Sequence, residues 1–225
     1  MAYRWIIGSG AQLDLAFYAW EKACPEEKVE RIEIRQGSDF TFDLSIFSKL
    51  EPRQGKAFIA FDERFGNFKR MELMQAALAR GLCLESFISC NANIADDALI
   101  GMNTFIGPQV SVAHGCQIGF NSVLHAGVNI GARSRIKASC WIESGVQIGA
   151  GVEIGAHAIL RMGTLVGTGV KIGKGCELGW PRLYRQDIPA KTIFDPRYDE
   201  PIHVFTDSGS EYVPQHARSK SQARD

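Results

Sequence analysis

The chain has 225 residues, and its 25 lysines and arginines are matched by 25 aspartates and glutamates. That balance leaves no field suited to nucleic acid or an anionic membrane, so neither is expected as a partner. Apolar stretches fall short of the ~18 residues a membrane span needs, and the N-terminus carries no signal-peptide pattern. The six cysteines, at 24, 83, 90, 116, 140 and 176, lack metal-type spacing and read as reduced thiols of a cytoplasmic protein without a metal.

In chain order, Tyr3 to Ile7 reads as a strand running into Gly8-Ser9-Gly10. A glycine-rich turn between strand and helix lets backbone N–H groups approach a phosphate. Leu13, Phe17, Trp20 and Cys24 then recur at helical spacing. Val29 to Ile34 alternates as a second strand, and Ala57 to Phe61 is a third, apolar on both faces. Residues 36 to 55 form a long loop between them. Asn67 is placed to cap a helix carrying Met71, Met74 and Leu78, closed by Gly81. This alternation predicts a small Rossmann-like αβ domain over residues 1–84.

From residue 85 to 180 a period of six takes over. Every sixth residue from Ile88 to Leu178 is aliphatic, sixteen in all, and nine of the sixteen are followed by Gly. The residue two before each, from Ala92 to Cys176, is Ala, Val, Ser, Thr or Cys. No α-helix keeps a period of six on one face, whereas short strands joined by tight corners do. Three six-residue sides make an 18-residue coil, so the segment predicts a parallel β-helix with aliphatic residues inside and glycines easing the corners. Residues 181–205 are expected to pack on this column, and the polar stretch 206–225 to be a disordered tail.

A short αβ unit followed by a hexapeptide β-helix resembles the sugar-modifying acyltransferases of the bacillosamine and sialic acid pathways. The resemblance implies a left-handed β-helix, a homotrimer, acetyl-CoA as acyl donor, and a nucleotide-sugar held by the αβ domain, with Gly8, Ser9 and Gly10 as its contacts. The key motif of that family is a histidine followed by Cys and an aliphatic-Gly pair, and Val112-Ala113-His114-Gly115-Cys116-Gln117-Ile118-Gly119 matches it. By that resemblance His114 is the general base, a role suited to neutral imidazole near pH 7. Family members carry an acid beside this histidine, where this chain has Ala113 and Gly115. The 18-residue register offers a substitute: Asp96 lies under His114, and Asp97 under Gly115.

On another corner the same register stacks His125, Glu143 and Arg161 after Gly107. A solvent-exposed salt-bridge ladder is the structural explanation, and a lining for the acyl-donor cleft is the functional one. His125, Glu143, Gly131, Gly149 and Lys171 are the candidate acyl-CoA contacts. Asn103 and Asn121 share a column and read as an amide ladder, Cys116, Cys140 and Cys176 as buried spacers, and His157 as a surface residue. Two other classes compete with the acyltransferase. A catalytically silent scaffold is favoured by the missing acid. A β-helical zinc hydratase needs three converging histidines, and 114, 125 and 157 are spaced wrongly for that.

Overall fold

The computed structural model describes residues 3–204; the expected disordered tail lies outside the described residues. The N-terminal unit has strands β1 (Tyr3–Gly8), β2 (Lys28–Glu33), β3 (Gly55–Ala60) and β4 (Cys83–Leu84), with helices α1 (Gly10–Ala23) and α2 (Phe68–Ala79). The strands form one parallel sheet in the order β2-β1-β3-β4. A 3-10 helix, Leu44–Lys49, lies within the long loop, where Asp43 caps it by accepting from the Ser45 amide at 3.0 Å.

The central strands are apolar on both faces because both faces are covered. Trp5, Ile7, Ala57, Ile59 and Phe61 pack with Leu73 and Met74 of α2. Ile6, Phe58 and Ala60 pack with Leu13, Ala16 and Trp20 of α1. Two details of α2 differ from the sequence expectation. Its buried face is Arg70, Leu73, Met74 and Ala77, while Leu78 is 41% exposed. Asn67 makes no side-chain cap and sits in the left-handed region at φ 66°, as the last of three consecutive left-handed residues with Phe65 and Gly66.

The second unit is a column of two-residue strands in three parallel sheets. Partners are 18 residues apart throughout, as in Phe105 with Val123, Ser111 with Asn129, and Gln117 with Arg135. The repeat aliphatics from Ile106 to Leu178 fill the interior, beside buried small residues such as Val110, Cys116 and Cys140. The column does not stop at Gly179. Leu183–Tyr184 pairs with Leu165–Val166, Ile188 bridges to Ile172, and Thr192–Phe194 pairs with Glu177–Leu178, which adds one irregular coil. An antiparallel strand, Ile202–His203, then lies on Thr192–Ile193.

Corner chemistry divides into two positions where the sequence suggested one. Three residues after each aliphatic from Ile100 to Ile172 the backbone is left-handed, with Gly at some coils and Asn103, Gln109, Asn121, Arg133, Ser139 or His157 at others. The glycine directly after the aliphatic has another cause. A Cβ on Gly119 would stand 2.5 Å from the Ala138 amide nitrogen of the next coil, so the close approach of coils excludes one there.

The αβ unit docks on one of the three faces. Outward-pointing residues of that face, Phe87, Phe105, Val123, Trp141 and Ile159, are apolar and buried against Ile6, Trp20 and Phe58. The equivalent positions on the other faces include Asn93, Asn129 and Gln147, or Gln117, Arg135 and Lys171, all exposed. Burying five such side chains contributes about 1.5–3 kcal/mol each to holding the two units together.

Candidate active site

The three faces define three edges, and the candidate residues fall on different ones. Asp96, His114, Gly131 and Gly149 share the edge between the second and third faces, the one edge that does not border the docked face. His125 and Glu143 lie on the edge where the docked face turns into the second. Lys171 begins a strand of the third face, and Gly8 to Gly10 join β1 to α1. Within one chain these groups do not converge on one cleft.

His114 is exposed at its corner, with its carbonyl accepting the Arg133 amide at 2.9 Å. The register works as expected one residue away, since the Gly115 amide donates to the Asp97 carboxylate at 3.0 Å. Asp96 beneath His114 is exposed and forms no ion pair with it among the described residues. Gly131 and Gly149 on the same edge admit the backbone of the next coil, with Ala150 N 2.5 Å and Thr168 N 2.7 Å from where a Cβ would be. Lys171 lines a hollow of about 440 Å³ on the third face with Lys137, Glu153 and Asp187.

The His125-Glu143-Arg161 corner is not an exposed ladder. Arg161 donates to Glu143 at 2.7 Å, to Glu177 at 2.8 Å, and to Glu63 of the αβ unit at 2.7 Å. Glu143 also accepts the Met162 amide at 2.8 Å. All four charged side chains are between 22% and 32% exposed, so the ladder is a half-buried tie between the two units. Burial alone would raise the Glu63 carboxyl, but the hydrogen bond and charge of Arg161 hold it below its usual range. His125 stands edge-on to Trp141, with ring centroids 4.6 Å apart, and its Nε2 is buried without a partner. Burial lowers its pKa, against the opposing charges of Glu143 and Glu63.

The opposite border of the docked face carries what composition alone concealed. Asn103 donates to Asn121 at 2.8 Å, which makes the amide ladder, and its Oδ1 accepts the Ile59 amide of β3 at 2.7 Å. Arg70 of α2 is 1% exposed and donates to the Asn121 carbonyl from two nitrogens. Burial lowers its pKa to about 10, so it stays charged at neutral pH. His157 is buried rather than on the surface, because Phe68 stacks on it at 4.3 Å and the loop before α2 covers it. No sequence pattern marks Arg70, since its partners are main-chain carbonyls.

At the β1–α1 turn, Gly8 is required by packing, because a Cβ would collide with the Ala60 carbonyl. Gly10 has φ 65° with open space around it, and the Ser9 side chain makes no cap. The first turn of α1 carries no acid, so its N–H groups face outward unopposed. The buried thiols are inert spacers, with burial pushing Cys140 up to about 12. Among the described residues no cluster of three or more His, Cys, Asp or Glu could hold a metal, and no helix is long and apolar enough to cross a membrane.

Residues 83–178 match the profile of the GMPPB C-terminal domain family. No curated protein matches the chain in sequence. Among solved structures, a mutant of perosamine N-acetyltransferase from Caulobacter crescentus, in complex with CoA and GDP-perosamine, is similar with a TM-score of 0.77 at 22% identity, over 91% of this chain and 98% of that one. PerB from the same organism, also with CoA and GDP-perosamine, gives 0.71 at 20% identity, over 86% and 93%. WeeI from Acinetobacter baumannii gives 0.62 at 16% identity, over 89% and 100%. The chain thus shares its fold, αβ unit and column together, with solved sugar acetyltransferases.

Proposed function

We propose that this protein is an acetyl-CoA-dependent acetyltransferase acting on an amino or hydroxyl group of a nucleotide-linked sugar. The observation that carries the reading is the likeness along most of the chain to structures described with both CoA and GDP-perosamine. His114 is the general base. It takes the proton of the acceptor as the nucleophile attacks the thioester carbonyl, and a backbone N–H of an adjacent coil stabilises the oxyanion. Collapse breaks the C–S bond, and the proton passes from the imidazole to the departing thiolate. The column is left-handed and the assembly a homotrimer in this reading.

The edge that carries His114 supports a site completed by a second chain. His114 faces away from its own αβ unit, so an acceptor held near Gly8 to Gly10 of one chain meets the His114 of another. A carboxylate for the imidazole comes either from Asp96 after a side-chain rotation or from the neighbouring chain. Acetyl-CoA lies along the column near Gly131, Gly149 and Lys171. A catalytically silent scaffold is the second reading, favoured by the absence of an Asp96–His114 ion pair within the chain. Release of free coenzyme A thiol from acetyl-CoA, measured with a panel of nucleotide-linked amino sugars and their hydroxyl counterparts, decides between them. No release with any acceptor, from trimeric protein that also fails to bind acetyl-CoA, would overturn the enzyme reading.

A further inference from the structure

Between the loop that follows β3 and the upper coils of the column lies a cavity of about 440 Å³, within the ~300–1,000 Å³ of small-molecule sites. One wall is built at a cost. Phe65, Gly66 and Asn67 are left-handed in succession, at φ 54°, 61° and 66°, and a bulky residue there costs about 1–2 kcal/mol. The turn leaves Phe65 48% and Phe68 56% exposed, and both rings line the cavity. The facing wall includes His157, nine-tenths buried, stacked on Phe68 and with Nδ1 unpartnered.

The lining has more cations than anions, with Arg64, Arg161, Lys174 and Lys191 against Glu63 and Glu177. The acids that line it, Glu63 and Glu177, are both bound to Arg161, and Arg64 is paired with Asp62. Lys174 and Lys191 sit in stacked coils, where the Lys191 amide donates to the Lys174 carbonyl at 2.8 Å. Neither ammonium has an ion pair among the described residues, so two free cations stand beside two exposed aromatic rings. Aromatic faces hold any base by stacking, and paired lysines hold phosphates.

We propose that this cavity binds a nucleoside diphosphate, with its base against Phe65 and Phe68 and its phosphates between Lys174 and Lys191. None of Gly8, Ser9 and Gly10 lines the cavity, although the loop that forms one wall leaves β3 beside that turn, where the Ser9 amide donates to the Ala60 carbonyl at 3.3 Å. The proposal rests on the acetyltransferase reading only for the choice of probes. The shared chemistry has two sources, the nucleotide half of coenzyme A and a free nucleoside diphosphate such as GDP.

The test is trace acetylation of the intact protein with acetic anhydride, read residue by residue by mass spectrometry, with and without each probe at millimolar concentration. Lys174 and Lys191 should lose reactivity several-fold with GDP, with coenzyme A, or with both, while exposed Lys22 on α1 is unchanged; the protecting probe identifies the source. Phe68→Ser, at a position more than half exposed, should remove the protection, whereas Gly10→Asp, at a residue that does not line the cavity, should leave it. In calorimetry, Lys174→Gln with Lys191→Gln should weaken binding of the protecting probe by at least ~10-fold. No protection by either probe overturns the site. So does protection that survives Phe68→Ser or disappears in Gly10→Asp. None of these outcomes depends on acetyl transfer, so failure of the catalytic reading is seen separately in the thiol-release assay.

Discussion

Two guanidinium nitrogens of Arg70 converge on the main-chain carbonyl of Asn121, at 2.9 and 3.1 Å. The same group reaches the carbonyls of Phe61 at 3.3 Å and Cys140 at 3.4 Å, so one side chain fastens α2, the end of β3 and two coils. Arg70→Met keeps the length but leaves these buried acceptors unmatched. The expected loss is about 2–4 kcal/mol, seen as a lowered urea midpoint. A midpoint equal to wild type would show that the carbonyls are satisfied by water instead.

His114→Gln removes the proposed base and nothing that holds the column together, because the side chain is exposed. Turnover should fall by ~10²–10⁴, with acetyl-CoA binding and thermal midpoint unchanged. Thiol release measured at saturating donor is the check. Near-normal turnover would remove His114 from the role and turn attention to the His125 corner.

Much of this arrangement is legible in the sequence for physical reasons. The column declares itself because the aliphatics from Ile106 to Leu178 point into a narrow prism, leaving no freedom in spacing. The period carries on through Ile100 and Ile94 to Ile88, which is 45% exposed at the open end. The docked face also left a trace: Phe87, Phe105, Val123, Trp141 and Ile159 lie 18 apart, apolar where the other faces are polar except at Leu99, Leu165 and Leu183. Arg70 and the burial of His157 left none. Main-chain carbonyls carry no sequence signature, and a corner position looks exposed until another unit covers it. The Asp97–Gly115 bond follows from the register, but the register alone does not say which neighbouring carboxylate turns toward which group.

Acid should weaken the protein through buried His157 and half-buried His125. Burial lowers the pKa of His125 and of His157, the latter against a backbone hydrogen bond at Gly66 that raises it. The unfolded chain takes up protons near the ordinary value of about 6.5, where the folded chain does not. Their contribution is therefore full above that value and lost as pH falls below it. The thermal midpoint of wild type should drop between about pH 7.5 and about pH 5.5, and His125→Gln with His157→Gln should flatten that drop. Parallel curves for the two proteins would place the acid sensitivity elsewhere.

Arg161 serves three carboxylates at once, Glu63, Glu143 and Glu177. Each pair is partly exposed and worth about 0–1 kcal/mol alone, but Arg161→Gln also leaves three acids facing one another. A loss of about 1–2 kcal/mol near neutral pH is expected on that basis. The Glu63 carboxyl is depressed in the folded wild type, so its contribution is present above its unfolded pKa and lost as pH falls through the folded one. The gap between variant and wild type should therefore narrow in acid. A constant gap would mean that Arg161 acts through packing of its stem, not through charge.

The two kinds of corner glycine make opposite demands, and one edge tests both. Gly131 would carry a Cβ 2.5 Å from the Ala150 nitrogen, a backbone atom that moves only if the coils separate. Gly151, on the same edge, has φ 65° and nothing within 4 Å of a Cβ. Arg133, one coil below, holds a similar φ of 59° with a full side chain, so that conformation is tolerated there. Gly151→Ala should cost only about 1 kcal/mol of backbone strain. Gly131→Ala should cost about 3 kcal/mol or more, because overpacking here opposes strand pairing itself. Gly131 follows Ile130, whose carbonyl accepts the amide of Ala113 beside His114 at 3.0 Å, so the displacement reaches the proposed base. Gly131→Ala should thus lower both the urea midpoint and the thiol-release rate, and Gly151→Ala only the midpoint. Equal costs for the two variants would show that the coils can part at this edge, leaving the glycines after the aliphatics without a structural cause.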